Sequence, residues 1–240
     1  MYSADGEIRF WAFARIVEIA IGLLPPSRRA SPVLYGIHCI VLLPVHLSAH
    51  SHKLIYCAAI SFQIVHATDL GSGTGKPCIA AALLWPFRKV VGVELLPSLH
   101  ALATEAAARL ALGNGESSRT GDGRGGAMGT FDAAAAAQVQ SNVVFQCGDL
   151  FALDVGDADI VFVASTGFDE ATFARLARHL RQSVRIGTVI VSLSLPVPVQ
   201  ACVAASKEAA DAEADFKTVL EQRFRFSWGN CSVYFSTFGA

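Results

Sequence analysis

The sequence has little charge and no concentration of positive charge. Only 16% of its 240 residues are Asp, Glu, Lys or Arg, and the formal net charge is −1. The most basic spot is the pair Arg28-Arg29. Proteins that hold nucleic acid gather Lys and Arg along a face or a tail. The composition therefore predicts no direct binding of nucleic acid.

Paired cysteine motifs are also missing. The six cysteines, at positions 39, 57, 78, 147, 202 and 231, are scattered without a Cys-x-x-Cys pair. This pattern is typical of reduced thiols and predicts an intracellular protein of the cytoplasm or nucleus, without a disulfide framework or zinc site. His46 and His50 have helical spacing, but no carboxylate lies near them in the sequence. We therefore predict no metal site.

No hydrophobic run is long enough for a membrane span. The strongest run, residues 33–47, has 15 residues and includes His38 and Pro44, whereas a spanning helix needs about 20 apolar residues. Asp5 and Glu7 interrupt the first residues, which excludes the pattern of a secretory signal. The sequence predicts no membrane association.

A glycine-rich segment between two apolar stretches is the most informative feature present. Residues 69–76 read Asp-Leu-Gly-Ser-Gly-Thr-Gly-Lys, and Val-Gly-Val-Glu follows at 91–94. Glycine has no Cβ, so the chain can turn sharply there and a ligand can come close. Pro77 suits the first turn of a helix. A strand, glycine turn, helix and second strand ending in the acid Glu94 predict a nucleoside-cofactor site in a doubly wound sheet.

The remaining pattern predicts an α/β fold with a doubly wound, mostly parallel, Rossmann-like sheet and a C-terminal antiparallel hairpin. Strand and helix signals alternate, which favours parallel strands with helices on both faces. We divide the chain into an N-terminal helical cap at 1–62, with an irregular apolar segment, and a cofactor-binding domain at 63–240. The Gly/Ser-rich stretch within 113–141 predicts a flexible insertion whose alanines form a short helix. The predicted strands are 64–69, 89–93, 142–146, 159–163, 185–195, 224–228 and 231–238; the predicted helices are 7–24, 77–84, 97–112 and 169–182.

The spelling of the glycine segment separates three kinds of cofactor site. A dinucleotide fingerprint needs a glycine where Lys76 stands. A phosphate-binding P-loop needs four residues between its glycines, but three separate Gly71 from Gly75. Asp-Leu-Gly-x-Gly-x-Gly instead resembles the first motif of class I S-adenosylmethionine (SAM) methyltransferases. The resemblance implies SAM as the cofactor.

Further motifs resemble the DOT-type (disruptor of telomeric silencing) histone-lysine methyltransferases, which are class I enzymes. The resemblance runs from about residue 5 to 238, apart from 25–62 and 113–141. It implies N-methylation of a lysine in an acceptor protein, for which a histone is one candidate. The matching segments, in chain order, are Ser3–Glu7 as the loop that closes over the cofactor, 69–73, 92–94, 148–150, 159–163 with Phe168, and Ser227-Trp228-Gly229 with Tyr234.

The resemblance also implies the roles of individual residues. Asp69 would accept a hydrogen bond from the methionyl amine, and Glu94 would accept the ribose hydroxyls. Asp149 would accept from the adenine amino group, and Leu150 would pack on the ring. The implied cofactor-binding residues are Glu7, Asp69, Gly71, Ser72, Gly73, Gly75, Glu94, Asp149 and Leu150, and the candidate catalytic residues near the methyl group are Ser165, Thr166 and Tyr234.

One departure from the DOT pattern keeps other functions open. The family has Asn-Asn-Phe where this chain has Ala164-Ser165-Thr166. The basic segment that such enzymes use on nucleosomes is also missing. The chain is therefore interpreted as a SAM methyltransferase of DOT type, as one that acts on a small molecule or a non-histone protein, or as a catalytically impaired SAM-fold binding protein. The sequence does not decide the oligomeric state.

Overall fold

The computed structural model describes residues 10–29, 34–38, 66–70, 72–85, 87–112, 133–165, 168–198, 215–226 and 229–239. At 34–38 and 66–70 it describes the backbone only. The helices are α1 (Phe10–Leu23), α2 (Pro26–Arg29), α3 (Lys76–Leu84), α4 (Pro97–Leu112), α5 (Ala133–Asn142) and α6 (Glu170–Ser183). The strands are β1 (Leu34–His38), β2 (His66–Leu70), β3 (Lys89–Glu94), β4 (Val143–Cys147), β5 (Ile160–Ala164), β6 (Val189–Leu193), β7 (Phe216–Phe226) and β8 (Gly229–Phe238).

The eight strands form one sheet in the order β4-β3-β1-β2-β5-β6-β8-β7. Strands β1 to β6 are parallel, while β8 is antiparallel to β6 and pairs with β7 as a hairpin. The mostly parallel sheet with a C-terminal hairpin was predicted. Strand β7 is longer than predicted. Residues 217–223 are all exposed, so this part of the strand lacks the apolar and polar alternation from which a half-buried strand is predicted.

The centre of the sheet holds two segments, β1 and β2. They pair with each other, Tyr35 opposite Thr68, and both also pair with β3 and β5. Leu34 and Ala67 share the same partner, Ile160. The strand order sets the two segments side by side, with additional pairings of β2 with β3 and of β1 with β5. Residues 34–38, which the sequence assigns to the cap, therefore belong to the sheet.

Apolar side chains fill both faces of the sheet. On one face, helices α1, α3, α4 and α5 cover a core that includes Phe13, Phe162 and Phe235, and the Phe13 and Phe162 rings meet edge to face at 5.5 Å. On the other face, α6 packs Phe173, Leu176 and Leu180 against the sheet. Helices on both faces give the doubly wound arrangement that was predicted.

Helix α5 lies inside the range predicted as a flexible insertion. Its Val139 is fully buried and Ala136 is 3% exposed. Gln138 also donates to the carbonyls of Ala82 and Trp85 at the end of α3. The alanine run therefore forms a packed helix, as its composition predicted, and the part that remains of the insertion, 113–132, lies outside the described residues.

A buried ion cluster joins α2 to the amino edge of the sheet. Asp159 is 1% exposed and accepts from Arg185 at 2.5 Å, with Arg28 at 3.5 Å. Arg28 also donates to the carbonyl of Ile186 at 2.7 Å. Burial and the neighbouring Arg185 cation lower the pKa of Arg28, while Asp159 acts in the opposite direction. The cluster places the end of α2 beside the strands at their amino ends.

Deleting residues 31–63 should leave a folded protein, because β2 itself pairs with β3 and with β5 and can continue the sheet without β1. The three residues Ala30, Ile64 and Val65 would then join α2 to β2, a span of about 10 Å when extended. We expect a cooperative thermal transition by circular dichroism, with retained helix and strand signal. A matched control replaces residues 34–38 with five Gly/Ser residues and should also fold. Loss of the transition in both variants would show that β1 is required.

Candidate functional site

The candidate site lies at the carboxyl edge of the sheet, where β2 and β3 end. We call residues 69–75 the glycine loop. The Ser72 N–H donates to the Val93 carbonyl at 2.8 Å, which fixes the loop on the tip of β3. Gly75, with φ of 76°, then caps the start of α3. Ligands of doubly wound proteins bind at this edge.

Two glycines are required because a neighbouring aromatic ring packs directly on their backbone. A Cβ on Gly75 would come within 2.5 Å of the Phe145 ring, and one on Gly92 within 2.7 Å of the same ring. Phe145 lies on the neighbouring strand β4 and covers both glycines. Contacts this short exclude any larger residue unless the ring moves. Sequence reasoning missed Phe145, although a glycine inside strand β3 is a signal of close approach.

Gly73 and Ser72 face a different environment. Gly73 has φ of 55°, and a Cβ built on it would meet nothing within 4 Å. Ser72 is 1% exposed, and its hydroxyl has no hydrogen-bond partner among the described residues. Buried hydroxyls in proteins are normally paired, because an unpaired one costs free energy. These two residues leave a hydrogen-bonding group and adjacent space for a ligand.

Glu94 is buried and bound to backbone. Glu94 is 2% exposed, and its two carboxylate oxygens accept hydrogen bonds from the backbone N–H groups of Gly73 and Leu96, each at 2.9 Å. The carboxylate thus ties the glycine loop to the segment after β3. Each carboxylate oxygen can accept more than one hydrogen bond. A ribose hydroxyl can therefore still bind, as an addition to these contacts.

Asp149 and Leu150 lie beside the end of β3. The Gly148 N–H donates to the Glu94 carbonyl at 3.0 Å, which places the motif next to the site. Asp149 is exposed, and its Oδ1 accepts the Phe151 N–H at 3.0 Å, capping a short 3-10 turn. Leu150 is half-buried against the core. The structure thus brings both residues to the edge where the adenine was expected.

The structure does not bring the candidate catalytic side chains together at one place with their hydroxyl groups unbound. Ser165 is 2% exposed and its hydroxyl donates to the Leu193 carbonyl at 2.5 Å. Tyr234 is half-buried on β8, two strands away from β5, which corresponds to about 10 Å at ordinary strand spacing. Thr166 lies outside the described residues.

Other predicted cofactor residues are placed only in part. The backbone of Asp69 lies in β2, opposite Phe162 of β5. Glu7 and Gly71 lie outside the described residues. In the part of the chain that is described, no group of three or more His, Cys, Asp or Glu could hold a metal ion. No helix in that part is both long and apolar enough to cross a membrane.

Two solved structures with a similar fold are methyltransferases. An RNA methyltransferase from Salinibacter ruber, in complex with S-adenosyl-L-homocysteine, aligns with a TM-score of 0.50 and 17% identity, over 95% of this chain and 89% of that chain. The rRNA methyltransferase aviRa from Streptomyces viridochromogenes aligns with a TM-score of 0.56 and 16% identity, over 100% of this chain and 89% of that chain. The chain has a methyltransferase fold. No family model and no curated protein matches the sequence.

The comparisons support the coarser part of the sequence interpretation. At these identities the likeness establishes the fold alone. Neither neighbour is a histone-lysine methyltransferase, so the DOT-type branch receives no support from them. The acceptor is therefore a separate question from the cofactor.

Replacing Glu94 with alanine should lower the free energy of unfolding by about 1–3 kcal/mol, because the buried N–H groups of Gly73 and Leu96 lose their acceptors. Urea unfolding measures this change. The matched control is Glu105→Ala on α4, where an exposed carboxylate pairs with Arg109 only across one helical turn. The control should change stability by less than about 0.5 kcal/mol. Equal effects of the two substitutions would contradict the structural role of Glu94.

Proposed function

We propose that the chain is a SAM-dependent methyltransferase whose cofactor lies on the glycine loop. The observation that carries the proposal is the pair of features at 72–73: a buried hydroxyl without a partner next to a glycine whose Cβ position is open. Both lie at the tip of β3, beside the buried Glu94 carboxylate. An incoming polar ligand would satisfy the hydroxyl and fill the space.

The residues present fit the parts of SAM. The Ser72 hydroxyl and the backbone near the start of α3 suit the methionyl carboxylate, since helix amino ends favour anions. Gly73, whose Cβ position is open, leaves space for close approach of the ligand. Asp69 would hold the methionyl amine, and Glu7 would belong to the loop that closes over the ligand. SAM itself supplies an electrophilic methyl group on its sulfonium.

The nucleoside end of SAM would lie between β3 and β4. Glu94 would accept ribose hydroxyls with lone pairs that its backbone contacts do not use. Asp149 would accept the adenine amino group with the oxygen opposite its capping contact, and Leu150 would pack against the ring. These three side chains approach the same edge of the sheet, which supports a shared ligand.

We infer that the preferred acceptor is not a nucleosomal lysine. Exposed leucines lie at the carboxyl edge: Leu95 is 66% exposed, Leu96 44% and Leu195 46%. Exposed carboxylates lie there as well, at Asp149, Asp169 and Glu170. An apolar and acidic rim favours an acceptor with an apolar surface, and it repels the phosphates that surround histones. Ser165, bound to backbone, would also give a lysine amine less direct contact than the asparagines of the DOT family.

Isothermal titration with SAM and with S-adenosylhomocysteine tests the cofactor. Ser72→Ala should weaken SAM binding about 10-fold to 150-fold, the equivalent of one hydrogen bond to a charged group. The same substitution should leave the thermal midpoint unchanged or higher, because it removes a buried hydroxyl that has no partner among the described residues. Ser141→Ala, an exposed serine on α5, is the control and should change neither quantity. A lower midpoint with unchanged affinity would count against the ligand role of Ser72.

Methyl transfer from radiolabelled SAM tests the acceptor. The purified protein is incubated with nucleosomes, total RNA, extracted protein and the small-molecule fraction of a cell extract. We expect label in a fraction other than nucleosomes at physiological salt. Strong nucleosomal labelling without a partner protein would instead establish the lysine alternative. Absence of label in every fraction, with intact SAM binding, would favour a binding protein without catalysis.

A further inference from the structure

The chain makes a strained turn at the end of β6, which we call the Ser194 turn (residues 193–195). The Leu195 N–H donates to the Leu193 carbonyl two residues earlier at 2.9 Å, and the central residue Ser194 has φ of 69°. A γ-turn with positive φ at its centre is rare and strained. Ser194 is the sole non-glycine residue with positive φ among the described residues.

Three elements hold this turn in place. From β5, the Ser165 hydroxyl donates to the Leu193 carbonyl at 2.5 Å. From β6 itself, the Ser192 hydroxyl donates to the Leu195 carbonyl at 2.7 Å. From β8, the Ser232 carbonyl accepts the Ser194 N–H at 2.8 Å. The Leu193 carbonyl thus has both of its lone pairs occupied, which fixes the peptide plane before Ser194.

The positive φ of Ser194 costs conformational free energy that a glycine at the same position would not cost. Glycine adopts positive φ freely, whereas serine at this position is strained. Strained backbone persists only where the surroundings impose it, and such sites are concentrated where a protein binds or reacts. Here the serines at 165 and 192 are nearly fully buried, at 2% and 0% exposure, and both donate to this one turn.

The placement of the turn connects it to the proposed reaction. It lies at the carboxyl edge, on the side of β5 away from the glycine loop, so it faces the acceptor side of the proposed cofactor site. Leu193 is fully buried, while Ser194 and Leu195 are exposed. The Ser194 Oγ lies in hydrogen-bond contact with the Cys231 Sγ at 3.3 Å. The turn therefore presents the apolar Leu195 side chain at the edge where an acceptor would arrive.

We propose that the Ser194 turn positions the methyl acceptor, and that Ser165 is a positioning residue which acts through the Leu193 carbonyl. This inference rests on the proposed methyltransferase function and deepens it. The hydroxyl of Ser165 supports the strained backbone, so it does not have to contact the methyl group or the acceptor. An acceptor with an apolar face fits the exposed Leu195 side chain that the turn presents.

A rescue experiment separates a positioning role from a direct one. Ser165→Ala removes one support of the strained turn and should lower methyl transfer to the best-labelled fraction about tenfold, chiefly through a weaker apparent affinity for that fraction. SAM affinity by titration should stay within about twofold, because the turn is on the acceptor side. The double variant Ser165→Ala/Ser194→Gly should regain the rate of Ser194→Gly alone, since glycine holds positive φ without support.

The matched control is Ser183→Ala. Its hydroxyl also donates to a backbone carbonyl, that of His179 at 2.9 Å, but it lies at the end of α6. It should leave transfer and SAM affinity unchanged. Where Ser165→Ala fails to fold, Ser192→Ala with and without Ser194→Gly tests the same point through the Leu195 carbonyl.

The results distinguish this inference from the proposed function. A transfer defect of Ser165→Ala that persists in the double variant would show direct action of Ser165 and overturn the inference, as would an unchanged rate in the single variant. Absence of SAM binding by the unmodified protein would overturn the proposed function, and the inference with it. SAM binding without any labelled fraction would favour a binding protein without catalysis, and would therefore overturn both the methyltransferase function and the inference.

Discussion

The site depends on one buried carboxylate, that of Glu94. Its two oxygens accept the N–H groups of Gly73 and Leu96, and so join the glycine loop to the segment that begins α4. A buried carboxylate is tolerated only when hydrogen bonds replace its lost hydration. Here both of those bonds come from backbone that borders the proposed cofactor. The shape of the glycine loop is therefore fixed by the protein before any ligand arrives.

The same pattern extends along the carboxyl edge. Asp149 caps the turn after β4, and Ser165 and Ser192 hold the turn after β6. Three side chains that the sequence suggests as ligand contacts, Glu94, Asp149 and Ser165, thus form hydrogen bonds with backbone groups of the protein. Rigid support of this kind is what positioning catalysis needs, because transfer of a methyl group depends on alignment with the breaking bond. Polar residues at this edge serve the fold and the site together.

The sequence predicted the parts of the fold that local pattern controls. Helix α4 has the predicted bounds, and Asp169 caps α6 as expected, accepting the Thr172 N–H at 2.7 Å. Contacts between distant segments were not predictable. Phe145 covers Gly75 and Gly92 from a neighbouring strand, and the segment 34–38 joins the sheet through backbone pairing with distant strands. Residues 217–223 of strand β7 are all exposed, so they have no apolar and polar alternation to detect.

The two halves of the site differ in how far the sequence specifies them. The cofactor half depends on glycines at fixed spacing, because positive φ at Gly73 and Gly75 and the closeness of Phe145 admit few other residues. Such constraints produce a motif that can be recognised in the sequence. The acceptor half depends on serine hydroxyls that bind backbone carbonyls, and serine at these positions has no distinctive spacing. Its strained centre, Ser194, is visible only once the chain is folded. The proposed cofactor therefore has a sequence motif behind it, whereas the acceptor has to be sought through the geometry of the Ser194 turn.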